Sequence, residues 1–121
     1  MARSVQHARD CWYIIGKEYM VVHKFLDQFV GVFPVDGYGD LQRIFLHNTG
    51  GIHLSRIYYG DEAEKAAKIH IVRDWYGKSL EDKNMSWVEE KLSEALIYFE
   101  KLADTFGRRR DHYDLQLKEK K

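Results

Sequence analysis

Apolar residues recur along this chain at intervals of three and four, with glycines between the periodic runs, and that spacing predicts a chain of helices. The first segment covers 3–15, with Val5, Ala8, Trp12 and Ile15 on one face and Gly16 as its stop. A second covers 17–30, with Tyr19, Val22, Phe25, Leu26 and Phe29 facing inward, His23 at the edge of that face and Asp27 just beyond it. Residues 41–59 predict a third helix, with Asp40 as N-cap and Leu41, Ile44, Phe45, Ile52, Leu54, Tyr58 and Tyr59 as its apolar arc. The fourth, Asp61 to Gly77, places Ala63, Ala66, Ala67, His70 and Asp74 within a narrow arc. A fifth, over 87–106, carries the stripe Val88, Leu92, Ala95, Leu96, Phe99, Leu102 and Ala103. Ser86 and Glu89 form a capping-box pattern at its start, and Gly107 is the expected stop.

The pattern therefore predicts an all-α protein, a compact bundle of about five helices in one domain over 1–107, followed by a tail over 108–121. Between the second and third helices, VGVFPVDGYGD reads as a loop because glycines, a proline and aspartates cluster there. The 121 residues suffice for one core and are too few for a catalytic domain plus a separate regulatory one.

The fourth segment changes the picture from packing to chemistry. Alanines let a neighbouring helix approach closely, so a His and an Asp at i, i+4 among them are presented to that neighbour. The second segment repeats the His-x-x-x-Asp spacing with His23 and Asp27. His47 and Asn48 fall inside the arc of the third, Gly51 lies on the same side, and His53 points the other way. A glycine beside a buried imidazole leaves a bare spot for a ligand or for a crossing helix. The inward-leaning set is thus His23, Asp27, His47, His70 and Asp74, and helix bundles build metal sites from facing helices in this way. Imidazole and carboxylate without thiolate suit zinc, manganese or iron. The structural reading stands beside it, since i, i+4 His/Asp pairs also occur as ordinary helix-surface contacts.

Charge and cysteine content narrow the alternatives. Lys plus Arg and Asp plus Glu number 19 each, so no global field holds a polyanion and nucleic-acid binding has no strong signal. Only the last fourteen residues carry a net positive charge, six basic against three acidic. The single Cys11 excludes an internal disulfide. His7 and Cys11 have a metal-pair spacing, but a boundary histidine and a small buried thiol account for them. No signal core and no membrane-length apolar run is present, so the expectation is a cytoplasmic protein.

The run from Glu18 to Asp27, then RIFLHNTGGI over 43–52, then AAKIHIVRD over 66–74, resembles a family of short uncharacterised proteins from bacteria and phages, catalogued as a domain of unknown function. The resemblance covers roughly residues 7–87 and includes His7-Ala8. It implies one functional site of His23, Asp27, His47, His70 and Asp74, and no activity. Arg73 stands where that family carries an acidic residue, which reduces the carboxylates this helix contributes. A weaker similarity is to the HD-type metal phosphohydrolases, all-helical enzymes with His and Asp ligands; their His-Asp dipeptide is absent here. That similarity implies a phosphoester substrate class.

The expectation is a small metal-dependent hydrolase of a phosphoester or nucleotide. His47, His70 and Asp74 are the metal ligands, His23 and Asp27 further ligands or the proton-transfer pair, and Arg43 the group that meets substrate charge. The alternatives are a non-catalytic ligand-binding or inhibitor protein, phage-encoded for instance, and a structural module that forms a homodimer through 87–106.

Overall fold

The computed structural model describes residues 3–28 and 46–104 in full and the backbone of 105–119. Five helices pack together: α1 (Ser4–Ile15), α2 (Met20–Leu26), α3 (Thr49–Tyr59), α4 (Asp61–Tyr76) and α5 (Met85–Glu119), with no strand among the described residues. The protein is all-α, as its apolar periodicity predicts. The loop expected over 30–40, Arg43, and the front of the predicted third helix lie outside the described residues.

The helix α4 is central and packs against all four others. Its alanine face is buried as expected, with Ala63, Ala66, Ala67 and His70 all at 0% exposure, but so are Ile69, Ile71 and Val72 on its other sides. A helix buried nearly all round must satisfy every polar group it carries inside the protein. The small alanine side chains are what allow neighbours to come this close. Gly60 and Gly77 bound it; Gly77 sits at φ 78° and donates its N–H to the Arg73 carbonyl, a left-handed stop that a residue with a Cβ adopts only under strain.

Four expectations about individual helices are corrected. On α1 the buried face is His7, Ala8, Asp10 and Cys11, while Val5 and Trp12 stand 64% and 55% exposed. Hydrogen bonding and ion pairing, which hydrophobic spacing does not register, decide which way this helix turns. The helix α2 begins at Met20, not at 17, because Tyr19 takes a left-handed conformation (φ 51°, ψ 45°) that breaks the run. His23 is fully buried rather than at an edge, and Asp27 is the C-cap.

The helix α3 begins only at Thr49. Asn48 caps it, its side chain accepting from Gly51 N–H at 2.8 Å, so His47 lies in the turn before the helix and not on it. A Cβ on Gly51 would fall on the carbonyl oxygen of Leu46, so the bare spot beside His47 admits the chain's own backbone. Finally, α5 starts one residue before Ser86, with Asn84 Oδ1 accepting from Trp87 N–H at 2.9 Å, and it continues through Gly107. A glycine inside a helix costs about 1 kcal/mol, which a long helix tolerates.

Candidate metal centre

Four segments deliver the polar cluster at the heart of the bundle. α1 provides His7, α2 provides His23 with Asp27 at its C-cap, the turn before α3 provides His47, and α4 provides His70 and Asp74. All four histidines are 0% exposed; the Asp74 side chain is 1% exposed and that of Asp27 15%. The structure thus brings His23, Asp27, His47, His70 and Asp74 together and adds His7. The signal for His7 was its place in the resemblance and its metal-pair spacing with Cys11; its fully buried position follows from the rotation of α1.

The distances define two halves. In the first, His47 Nε2 lies 2.7 Å from Asp74 Oδ2 and 3.8 Å from Asp27 Oδ1, while His70 Nε2 lies 3.1 Å from Asp27 Oδ1 and 3.3 Å from Asp74 Oδ2. Four donor atoms around one point at a metal–ligand distance of ~2.0–2.1 Å stand ~3.3 Å apart in a tetrahedron, and the four separations bracket that value. These side chains could hold a metal ion. In the second half, His70 Nδ1 faces His23 Nδ1 at 3.0 Å, and His23 Nε2 meets the Glu18 carbonyl at 2.9 Å. His7 stacks on His70, ring centres 3.6 Å apart, with its Nε2 3.1 Å from Asp74 Oδ1.

Electrostatics sort the histidines. Burial drives His7 down to about 4 and His23 to about 3, in each case reinforced by repulsion from His70. Burial also lowers His47, against the pull of Asp74. His70 goes the other way: burial opposes its charge, but its contacts with Asp27 and Asp74 outweigh that and raise it. Both carboxylates are held down against the cost of burial, Asp74 well below the usual carboxylate range by His47, His7 and His70, and Asp27 by His70 and His47. With both carboxylates ionised, the buried cluster carries a net negative charge whether His70 is neutral or protonated. A divalent cation in place of the His70 Nε2 proton neutralises it, and a buried net charge is otherwise costly.

The cluster also fails to close on itself. His7 Nδ1 and His47 Nδ1 have no hydrogen-bond partner among the described residues, and His7 Nε2 lies 3.1 Å from Asp74 Oδ1. Cys11 joins neither half: its Sγ lies 4.0 Å from the Ala66 carbonyl and burial pushes the thiol pKa up. His53 is exposed, as its geometry predicts.

Beside the cluster, a cleft of about 350 Å³ is lined by His47, Asn48, Thr49, Gly50, Phe99 and Ala103, among others. His47 packs against Phe99 with ring centres 5.0 Å apart. Thr49 and Gly50, in the first turn of α3, line the cleft together with Leu96 and Glu100 of α5. No helix among the described residues is long and apolar enough to cross a membrane. Comparison of the chain with family models, curated proteins and solved structures finds no match.

Proposed function

We propose that the protein is a small metal-dependent hydrolase acting on a phosphoester, with a nucleotide among the substrates that fit. His47 Nε2, His70 Nε2 and Asp74 Oδ2 hold the ion, a two-histidine, one-carboxylate set of the kind that catalytic zinc sites use. Asp27 is the most exposed member of the cluster and stands farthest from His47, so it faces the remaining position and accepts the proton of the attacking water. A bound divalent ion supplies Lewis acidity and lowers the pKa of water from about 15.7 to about 7. The cleft above His47 admits the substrate, and the first turn of α3 meets its phosphoryl oxygens.

The observation that carries this reading is the set of four mutual distances from 2.7 to 3.8 Å among donor atoms of two neutralisable histidines and two ionised aspartates. The near-complete burial of the ligands also suits a second reading, a closed metal site in a non-catalytic binding protein. Turnover of a chromogenic phosphodiester by zinc- or manganese-loaded protein separates the two. In the first reading Asp27→Asn keeps its metal and loses about 10²–10⁴-fold in rate. Loaded wild-type protein that is inert toward phosphomonoesters and phosphodiesters alike contradicts hydrolysis and leaves the binding reading.

A further inference from the structure

The histidine cluster contains a second trio, His7, His23 and His70, whose nitrogens also approach closely enough to suggest an ion. The geometry between His23 and His70 argues against one. Their planes are 15° apart, and their centres, 5.2 Å apart, are separated by about two ring radii more than the 3.0 Å between the Nδ1 atoms. The rings therefore meet edge to edge, with the two Nδ1 atoms on the line between them. An ion bound head-on by both needs a separation of roughly 4 Å, twice the zinc–nitrogen distance. A gap of 3.0 Å holds a single proton.

Which nitrogen owns that proton follows from the far side of His23. The Glu18 carbonyl is an acceptor only, so His23 Nε2 must donate to it. His23 is fully buried with one ring nitrogen on a carbonyl and the other on an imidazole, surroundings that favour the neutral ring, so its Nδ1 carries no proton and accepts. His70 Nδ1 must then be the donor, and in neutral His70 the lone pair is left on Nε2, between Asp27 and Asp74. The backbone holds this arrangement under strain: Tyr19, directly after Glu18, sits at φ 51° in the left-handed region, which a residue with a side chain rarely adopts. It turns the Glu18 carbonyl out of the helix that follows and onto His23.

We propose that His23 is a positioning residue, neither ligand nor acid, and that the relay from the Glu18 carbonyl through His23 to His70 Nδ1 locks His70 in the tautomer whose Nε2 binds the metal. This rests on the metal centre proposed above. The same outer hydrogen bond orients ligating histidines generally and is worth 10–100-fold in metal affinity. Here the acceptor is another histidine, itself anchored on strained backbone.

Full-length protein labelled with ¹⁵N-histidine and titrated with zinc alone tests it. Long-range ¹H–¹⁵N correlation is expected to show His70 metal-bound through Nε2 with Nδ1 protonated, and His23 protonated on Nε2 with no metal-induced shift. His23→Leu, which cannot accept, is expected to weaken zinc 10–100-fold. His23→Gln, which offers a carbonyl oxygen, is expected to recover most of that loss. Coordination through His23, or a His70 bound through Nδ1, overturns the inference even if the Leu variant fails to fold. A folded Leu variant with unchanged affinity also overturns it. Wild-type protein that takes up no zinc contradicts the metal centre itself, a result distinct from zinc taken up with His23 as a ligand.

Discussion

Arg73 and Asp74 are neighbours on α4, and each enters a different buried polar cluster. Arg73 reaches Asp10 on α1 at 3.1 Å, and Asp10, its side chain 1% exposed, also accepts from Leu80 N–H at 3.1 Å and Ser79 Oγ at 3.4 Å. Charges cancel there, both carboxylate oxygens are used, and the cluster ties α1 to α4 and to the segment after it. Burial pushes the Asp10 pKa up, opposed by the Leu80 N–H and by Arg73. One residue further on, Asp74 enters a cluster with net negative charge and histidine nitrogens without partners. Buried polar groups that satisfy one another hold architecture together. Buried polar groups that converge without satisfying one another leave a place for something else.

The largest expected effect breaks the open cluster. Asp74→Ala removes the contact shared by His7, His47 and His70, and loss of one partner from a buried charged network costs about 3–5 kcal/mol. Urea denaturation measures that loss, and the variant is expected to bind no zinc. Arg73→Ala breaks the closed cluster instead. It removes a charge-assisted hydrogen bond worth about 1.5–3 kcal/mol while leaving zinc affinity within a factor of two or so. Equal loss of zinc binding in the two variants would erase the distinction between the clusters.

Gly51→Ala tests how His47 is placed. Its Cβ collides with the Leu46 backbone, so the turn must shift, at about 1–3 kcal/mol. Zinc affinity is expected to fall with stability, because His47 follows Leu46 directly.

Lowering the pH perturbs the same cluster without a substitution. The unfolded chain protonates His7 and His23 below 6.5, but the native protein does so only near 4 and 3. Stability therefore declines as pH is lowered from 6.5 toward 4, by up to about 1.4 kcal/mol per unit for each histidine. His70, raised, gives its full contribution below 6.5 and loses it as pH rises through its folded value, so it adds no slope in this window. Asp74, lowered, contributes above 3.8 and is also constant there. His47, lowered as well, adds to the slope in the same sense. Urea midpoints at pH 6.5 and 4.5 read this slope, and His7→Gln is expected to flatten it by about a third to a half.

The helices and the central pair of the site were legible in the sequence for one physical reason. Spacing along a helix is local, so the alanine face carrying His70 and Asp74, and the stop at Gly77, follow from residue order alone. Pairing between segments distant in the chain is not local. Asp10 meets Arg73 and Leu80 across more than sixty residues, and only that partnership makes burial of the His7 and Asp10 face cheaper than burial of Val5 and Trp12. Arg73 looked like the loss of a ligand and is instead half of a tie between helices. His47 was read on a helix because nothing in the periodicity marks Asn48 as its start. The strain at Tyr19 has no signature in residue order, since any residue type other than glycine is disfavoured there.

The central claim is that His47, His70 and Asp74 hold one divalent ion beside Asp27. Metal content of full-length protein purified without a histidine tag, measured by plasma mass spectrometry after dialysis against micromolar zinc, manganese or iron, tests it most directly. The account predicts about one equivalent of one of these ions per chain, lost in His47→Ala and Asp74→Ala and kept in Arg73→Ala. Wild-type protein that holds no stoichiometric metal after exposure to all three contradicts it.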